Sequence, residues 1–142
     1  MPFFVGRLHL GKKCPPPSAG DPLVLKENPQ TKLVILGKDN EQAIITETVE
    51  RLNIRDNVVY RFDFVPEKER ILHHAALSDV CVFPSTYEPF GNVSLEAMSV
   101  EKPVVVGARG VVGFKEQVMN SETDQNGLQL TVETRLTLNL DK

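Results

Sequence analysis

Residues 85–98 of this chain read Ser-Thr-Tyr-Glu-Pro-Phe-Gly-Asn-Val-Ser-Leu-Glu-Ala-Met. A short apolar run, Val80 to Phe83, precedes the stretch and is typical of a strand buried in a parallel sheet. The Pro-Phe-Gly triplet, which ends at Gly91, predicts a tight turn, and the residues after it favour a helix. Free backbone N–H groups and the positive end of the helix dipole would then meet at one point. This order of strand, turn and helix predicts a site for a phosphate or a pyrophosphate.

Two carboxylates of this stretch, Glu88 and Glu96, have seven residues between them. We expect Glu88 on the loop and Glu96 about one turn into the helix, so both could reach hydroxyl groups beside a bound phosphate. The spacing alone carries no information, because charged residues are common and any spacing recurs. In isolation, such a pair is more often a turn cap and an exposed helix residue. The hypothesis of a site therefore depends on the residues around the pair.

Outside this stretch the chain predicts alternating strands and helices. Strands are expected at residues 3–5, 32–36, 58–62, 80–83, 103–106 and 128–132, and helices at 40–52, 66–77, 92–99 and 114–119. Strands joined by such helices form an open parallel sheet, and ligands bind at the carboxyl ends of its strands. The predicted fold class is therefore α/β, with one Rossmann-like domain and helices flanking the sheet.

The stretch 85–98 resembles the E-x7-E signature of retaining glycosyltransferases of the GT-B fold, the glycosyl transferases group 1. Its Tyr-Glu-Pro-Phe-Gly and Leu-Glu-Ala-Met segments fit that pattern, and the resemblance runs from about Leu33 to Leu130. The segment Leu33–Gly37 resembles the second strand of that family with its glycine turn, and Lys102–Val106 resembles the strand after the motif. The resemblance implies the C-terminal, donor-binding half of a GT-B fold. It also implies a hexosyltransferase whose donor substrate is a nucleotide diphosphate sugar.

The resemblance implies a role for each residue of the motif. Glu96 would accept hydrogen bonds from the ribose hydroxyls, and Glu88 would contact the donor sugar as part of the catalytic set. Three residues of the turn, Phe90, Gly91 and Asn92, would bind the donor through backbone N–H groups. The nucleotide base would lie near the segment around Val65.

The N-terminal segment resembles the Gly-Arg…Lys element with which the family grips the pyrophosphate. Arg7 and Lys12 are the corresponding residues, and their charges would suit two adjacent phosphates. A solvated surface position is the alternative for Arg7, and Lys13 could serve instead of Lys12. Because consecutive prolines exclude a helix, we expect an irregular proline-rich loop over residues 13–29, and a second irregular segment at residues 133–142.

Composition narrows the classes of function. The 142 residues favour one domain, and the net charge of -3 gives no electrostatic case for nucleic acid. No apolar run is long enough for a membrane span, and the first residues do not resemble a signal peptide, so any membrane association would be peripheral, through a partner domain. Two cysteines favour a reduced, cytoplasmic setting. The chain has no Asp-x-Asp and no His/Cys ligand spacing, so we expect neither a metal nor another cofactor.

Enzymes of the GT-B fold use two domains, and this chain has the size of one. We therefore expect it to need an N-terminal acceptor domain, supplied in cis or in trans, and to be inactive alone. One alternative is a non-catalytic module that binds a nucleotide sugar, or a decayed relative that binds nothing. A flavodoxin-like protein is possible from topology, but it would leave Glu88 and Glu96 unexplained.

Overall fold

The structure, a computed structural model, describes residues 2–5, 21–37, 42–85, 87–107, 111–119, 121 and 123–130. Its elements follow in the order β1 (Pro2–Val5), α1 (Asp21–Glu27), β2 (Leu33–Leu36), α2 (Gln42–Arg51), β3 (Val58–Arg61), α3 (Glu67–Leu77), β4 (Val80–Phe83), β5 (Tyr87–Glu88), α4 (Asn92–Met98), β6 (Val104–Gly107), β7 (Val111–Val112), α5 (Phe114–Gln117) and β8 (Gly127–Leu130). The predicted α/β class is confirmed. Among the helices described, none has the length and apolar character that crossing a bilayer requires.

Within the described residues, six strands form one sheet in the order β3-β2-β1-β4-β6-β8, and every neighbouring pair is parallel. The chain builds one half of the sheet outward from β1 to β3 and then returns to the centre with β4. The order of strands therefore reverses between β1 and β4. Open sheets of this topology bind ligands beside such a reversal, at the carboxyl ends of the strands.

Apolar side chains fill both faces of the sheet, and β2 shows the alternation most plainly. Val34 and Leu36 face the larger core, which holds β4, β6, α4 and α5, whereas Ile35 faces the core beneath α2. Two side chains of α2, Ile45 and Val49, are buried in that second core. Since successive side chains of a strand point to opposite faces, one strand serves two cores.

A second sheet, which the sequence did not predict, pairs β5 with β7. Tyr87 lies opposite Val111 and Glu88 opposite Val112, and the backbone N–H of Gly113 donates to the Glu88 carbonyl at 2.8 Å. This pairing ties the segment that carries Glu88 to residues more than twenty positions later in the chain.

We expected an irregular loop over residues 13–29, and this prediction is wrong for residues 21–27, which form a helix. Helix α1, Asp21–Glu27, lies inside this range and includes Pro22. Proline is tolerated in the first turn of a helix because the N–H it lacks would have no partner within the helix. Residues 13–20 and 133–142, like Arg7 and Lys12, lie outside the described residues.

Candidate functional site

The segment that carries the two glutamates follows the strand at the reversal of strand order. β4 ends at Phe83, and the chain then runs through β5 and the turn at Pro89–Gly91 into α4. Both the turn and the first residues of α4 therefore lie at the carboxyl edge of the sheet, next to the reversal. This is the location that the sequence predicts for the site.

The turn needs glycine at position 91. Gly91 has φ of 88°, in the left-handed region, and it directly precedes the first residue of α4. A Cβ built there would overlap the ring of Phe114, whose side chain is fully buried and stacked on Phe83 with the ring centroids 6.0 Å apart. The backbone of the turn thus lies directly on an aromatic side chain of the core.

Side chains of α4 and α5 hold the carbonyl oxygens of the turn. The Nε2 group of Gln117 donates to the Phe90 carbonyl at 2.6 Å. The fully buried hydroxyl of Ser94 lies 2.8 Å from the Gly91 carbonyl and 2.6 Å from Oε1 of Gln117, so its hydrogen serves these two acceptors. These contacts fix the path of the chain between Glu88 and Glu96.

The carboxylate of Glu96 is 8% exposed and forms a two-pronged ion pair with Arg70 of α3. Nη2 of Arg70 donates to Oε1 at 2.6 Å, and Nε donates to Oε2 at 3.1 Å. Two parallel charge-assisted hydrogen bonds of this kind define both the position and the plane of a carboxylate.

Arg70 is itself held from a second side. Its Nη1 donates to the Val65 carbonyl, in the segment before α3, at 2.9 Å. The hydrogen bonds to Glu96 raise the pKa of Arg70 above its usual value, and the negative charges of Glu96 and Glu67 act in the same direction, against the effect of partial burial. The guanidinium therefore joins the segment before α3 to the carboxylate on α4.

An open groove of about 510 Å³ runs between α3 and α4. Its lining residues are Glu67, Arg70, Ile71, Asn92, Val93, Leu95, Glu96 and Ser99. The ion pair thus forms part of the groove wall, and Ile71, Val93 and Leu95 form a nonpolar part of the same wall. Among the described residues, no three His, Cys, Asp or Glu side chains gather where they could hold a metal ion.

The predicted site residues divide into those at the groove and those in the turn. Glu96 and Asn92 line the groove, whereas Glu88 lies partly buried in β5 and Phe90 is 60% exposed in the turn. The side chain of Val65 is buried in the larger core, so its carbonyl, and not its side chain, faces Arg70. The predicted roles of these residues stay predictions.

Arg70 is the residue that the sequence analysis missed. It lies 26 positions before Glu96, in the predicted helix 66–77, and no spacing within that helix sets it apart from the charged residues around it. The packing of α3 on α4 brings the two side chains together. The sequence does hold one indication of this pair: Glu96 has apolar neighbours on its helix, and a buried carboxylate needs a cation nearby.

The sequence is similar to those of glycosyltransferases. The family of glycosyl transferases group 1 matches residues 20–133. An uncharacterized glycosyltransferase of Methanocaldococcus jannaschii is 37% identical over 110 residues, which make up 78% of this chain and 27% of that protein. The glycogen synthase of Mycobacterium tuberculosis is 33% identical over 123 residues, 85% of this chain and 28% of that enzyme. The chain thus spans little more than a quarter of the length of these relatives.

The fold is similar to part of Anabaena HepE, whose crystal structure holds UDP and glucose. The TM-score is 0.72 at 25% sequence identity, over 92% of this chain and 34% of HepE. The similarity therefore covers a domain-sized portion of a longer protein.

Proposed function

Because the chain belongs to the glycosyl transferases group 1, we propose that it is the donor-binding domain of a retaining glycosyltransferase. Its fold is that of the C-terminal, Rossmann-like half of a GT-B glycosyltransferase. The donor would be a nucleotide diphosphate sugar, as the UDP and glucose held by HepE suggest.

One observation carries the proposal. Glu96, the second glutamate of the E-x7-E stretch, forms part of the wall of a groove that opens between two helices at the carboxyl edge of the sheet. An ionised carboxylate accepts hydrogen bonds through two oxygens, so it suits neighbouring hydroxyls of a sugar ring. We assign Glu96 to the ribose of the donor, with the nucleoside along the groove.

Glu88 and the turn would contact the other end of the donor. Glu88 lies before the turn and Glu96 after it, so a donor bound across the turn extends from one carboxylate to the other. In this proposal Glu88 binds hydroxyls of the transferred sugar. The backbone N–H groups of Phe90, Gly91 and Asn92 bind the phosphates between.

Transfer leaves a nucleoside diphosphate, and stabilising its charge is the largest electrostatic task of the reaction. We assign this task to Arg7 and Lys12, which follow β1 in the sequence. Two cationic side chains could balance the diphosphate without a metal or another cofactor. This assignment rests on the resemblance of the Gly-Arg…Lys segment.

The proposal includes a second domain. Since the chain spans little more than a quarter of its relatives, we propose that an N-terminal acceptor domain completes the enzyme and that this chain alone binds the donor without transferring it. A module that binds nucleotide sugars without any transfer is the second candidate. We also propose a cytoplasmic location, since the chain has two cysteines and Cys81 is a buried free thiol.

Calorimetric titration with UDP-, GDP- and ADP-sugars tests donor binding and identifies the base. We expect micromolar to millimolar affinity for one nucleotide. Glu96→Gln should weaken binding by about 1.5–3 kcal/mol, the usual contribution of a hydrogen bond to a charged group. Glu50→Gln is the matched control, because Glu50 is an exposed carboxylate on α2, away from the groove.

Each outcome separates the candidates. If no nucleotide sugar binds the native chain, the donor-site proposal is wrong. Binding that Glu96→Gln and Glu50→Gln leave equally unchanged would contradict the assignment of Glu96. Retention is tested with the acceptor domain present, by determining the anomeric configuration of the product, and an inverted product would refute that part.

A further inference from the structure

The ion pair between Arg70 and Glu96 has a geometry that exceeds what neutralising a buried charge requires. A single lysine would balance the carboxylate, but here two nitrogens of one rigid guanidinium contact two different oxygens. A third nitrogen of the same group contacts the Val65 carbonyl. We propose that Arg70 is a positioning residue that fixes the Glu96 carboxylate in the orientation that reads the ribose of the donor. The inference rests on the proposed function.

The hydrogen-bonding capacity of the carboxylate supports this role. An ionised carboxylate has about four acceptor positions on its two oxygens. Arg70 takes one position on each oxygen of Glu96, which leaves one further position on each. Two acceptor positions at a fixed separation match the two neighbouring hydroxyls of a ribose. A carboxylate that could rotate would present them at varying angles and bind the diol more weakly.

The surroundings of Arg70 indicate that the pair is rigid. The side chain of Arg70 is 22% exposed and that of Glu96 is 8% exposed, so little of either group reaches solvent. The third contact of Arg70, to Val65, attaches the guanidinium to a residue whose side chain lies in the larger core. Any movement of the carboxylate would therefore have to break contacts with α3 and with the segment before it.

Both members of the pair line the groove, so the orientation set by Arg70 is the one that a ligand in the groove meets. Glu67, which also lines the groove, adds a second negative charge near Arg70. That charge helps hold the guanidinium, but its interaction with Arg70 is not one of the two contacts that orient Glu96. Arg70 thus acts on the donor through Glu96 and needs no contact of its own with the ligand.

The experiment compares ribonucleotides with their 2′-deoxy counterparts. The native chain, Arg70→Met and Arg70→Lys are titrated calorimetrically with UDP, GDP and ADP and with the 2′-deoxy form of each. For the nucleotide that binds, the native chain should prefer the ribose form by roughly 10- to 100-fold, the effect of a hydrogen bond to a charged group. Arg70→Met should bind the ribose form almost as weakly as the 2′-deoxy form, while its affinity for the 2′-deoxy form stays within a few-fold of native.

Arg70→Lys keeps the charge but lacks the planar fork, so its preference for ribose should lie between those of the other two chains. It also carries the test if Arg70→Met does not fold. Arg51→Met, at an exposed arginine of α2, is the matched control and should keep the native preference. Circular dichroism of each variant establishes that it is folded.

Each alternative result overturns the inference in a distinguishable way. A residue that merely supports the fold would weaken both forms of the nucleotide by the same factor, and the preference for ribose would survive in Arg70→Met. That result would refute the role of Arg70 and leave the donor site intact. A native chain that binds nucleotides without preferring ribose would refute the role of Glu96 in reading it. A native chain that binds none of the six nucleotides would refute the proposed function and this inference together.

Discussion

Replacing Gly91 with alanine should destabilise the chain far more than its exposed neighbourhood suggests. Two independent costs arise at this position. The backbone has φ of 88°, which side chains of L-residues disfavour, and the added Cβ would overlap Phe114. Phe114 cannot yield easily, because it is fully buried and its ring is stacked on that of Phe83.

The two costs can be estimated separately. A left-handed backbone costs an L-residue about 1–2 kcal/mol relative to glycine. Forcing an extra carbon into a packed core costs about 1–3 kcal/mol. Together they predict that Gly91→Ala lowers the free energy of unfolding by about 2–5 kcal/mol, a large part of the 5–15 kcal/mol typical of a domain. With a urea m-value of roughly 2 kcal/mol per molar, the midpoint should fall by about 1–2.5 M.

Urea denaturation followed by circular dichroism measures this change, with Asn92→Ala as the control. Asn92 is the exposed next residue, and its replacement should change the stability by less than about 0.5 kcal/mol. In a Phe114→Leu background the smaller side chain removes much of the overlap, so Gly91→Ala should then cost little more than the backbone term. A cost below about 0.5 kcal/mol for Gly91→Ala in the native background would refute the reasoning.

Two further predictions concern residues outside the groove. Glu101 has φ of 59°, so Glu101→Gly should raise the urea midpoint; Asn53→Gly, at φ of 55°, should raise it less, because asparagine tolerates this region better. Equal gains would contradict this. Burial raises the pKa of the Cys81 thiol above its ordinary value, although the hydrogen bond between Cys81 and Ser78 acts in the opposite direction. The folded chain thus holds the Cys81 proton more tightly than the unfolded chain does. The stability that this proton contributes is complete below the ordinary thiol pKa and is lost as pH rises through the pKa of the folded chain. The urea midpoint should therefore fall at alkaline pH, and Cys81→Ala should make that fall smaller.

The elements that the sequence predicted well are those whose signal is local. The strand predicted at residues 80–83 matches β4, and the helix predicted at 92–99 matches α4 to within one residue. Both follow from apolar patterns read over a few neighbouring residues. The small sheet was missed because β5 and β7 have two residues each, too few for any periodicity. The pairing of β5 with β7 depends on where β6 leads the chain, and local sequence patterns do not carry that information.

The site shows the same division between local and distant information. The E-x7-E stretch is continuous in sequence, so the location of Glu88, the turn and Glu96 at the sheet edge could be predicted. The environment of Glu96 could not, because its partner Arg70 lies on another helix and meets it through the packing of α3 on α4. A local sequence pattern can identify Glu96 as a charged residue, but only the folded structure shows that its ion-pair partner is Arg70.

The two glutamates of the stretch are fixed by different parts of the chain, and this has a consequence for how the site is built. Arg70, which precedes the stretch in sequence, forms the ion pair with Glu96. The segment of Glu88 pairs with β7, and Gln117 donates to the turn between the two glutamates; both of these partners follow the stretch in sequence. The motif therefore supplies the carboxylates, but residues before and after it supply their positions. A change at Gln117 should disturb the turn and Glu88 while leaving the Arg70 pair intact. The seven-residue spacing therefore does not define a site by itself. It does so in a sheet that brings Arg70 and β7 to the same edge.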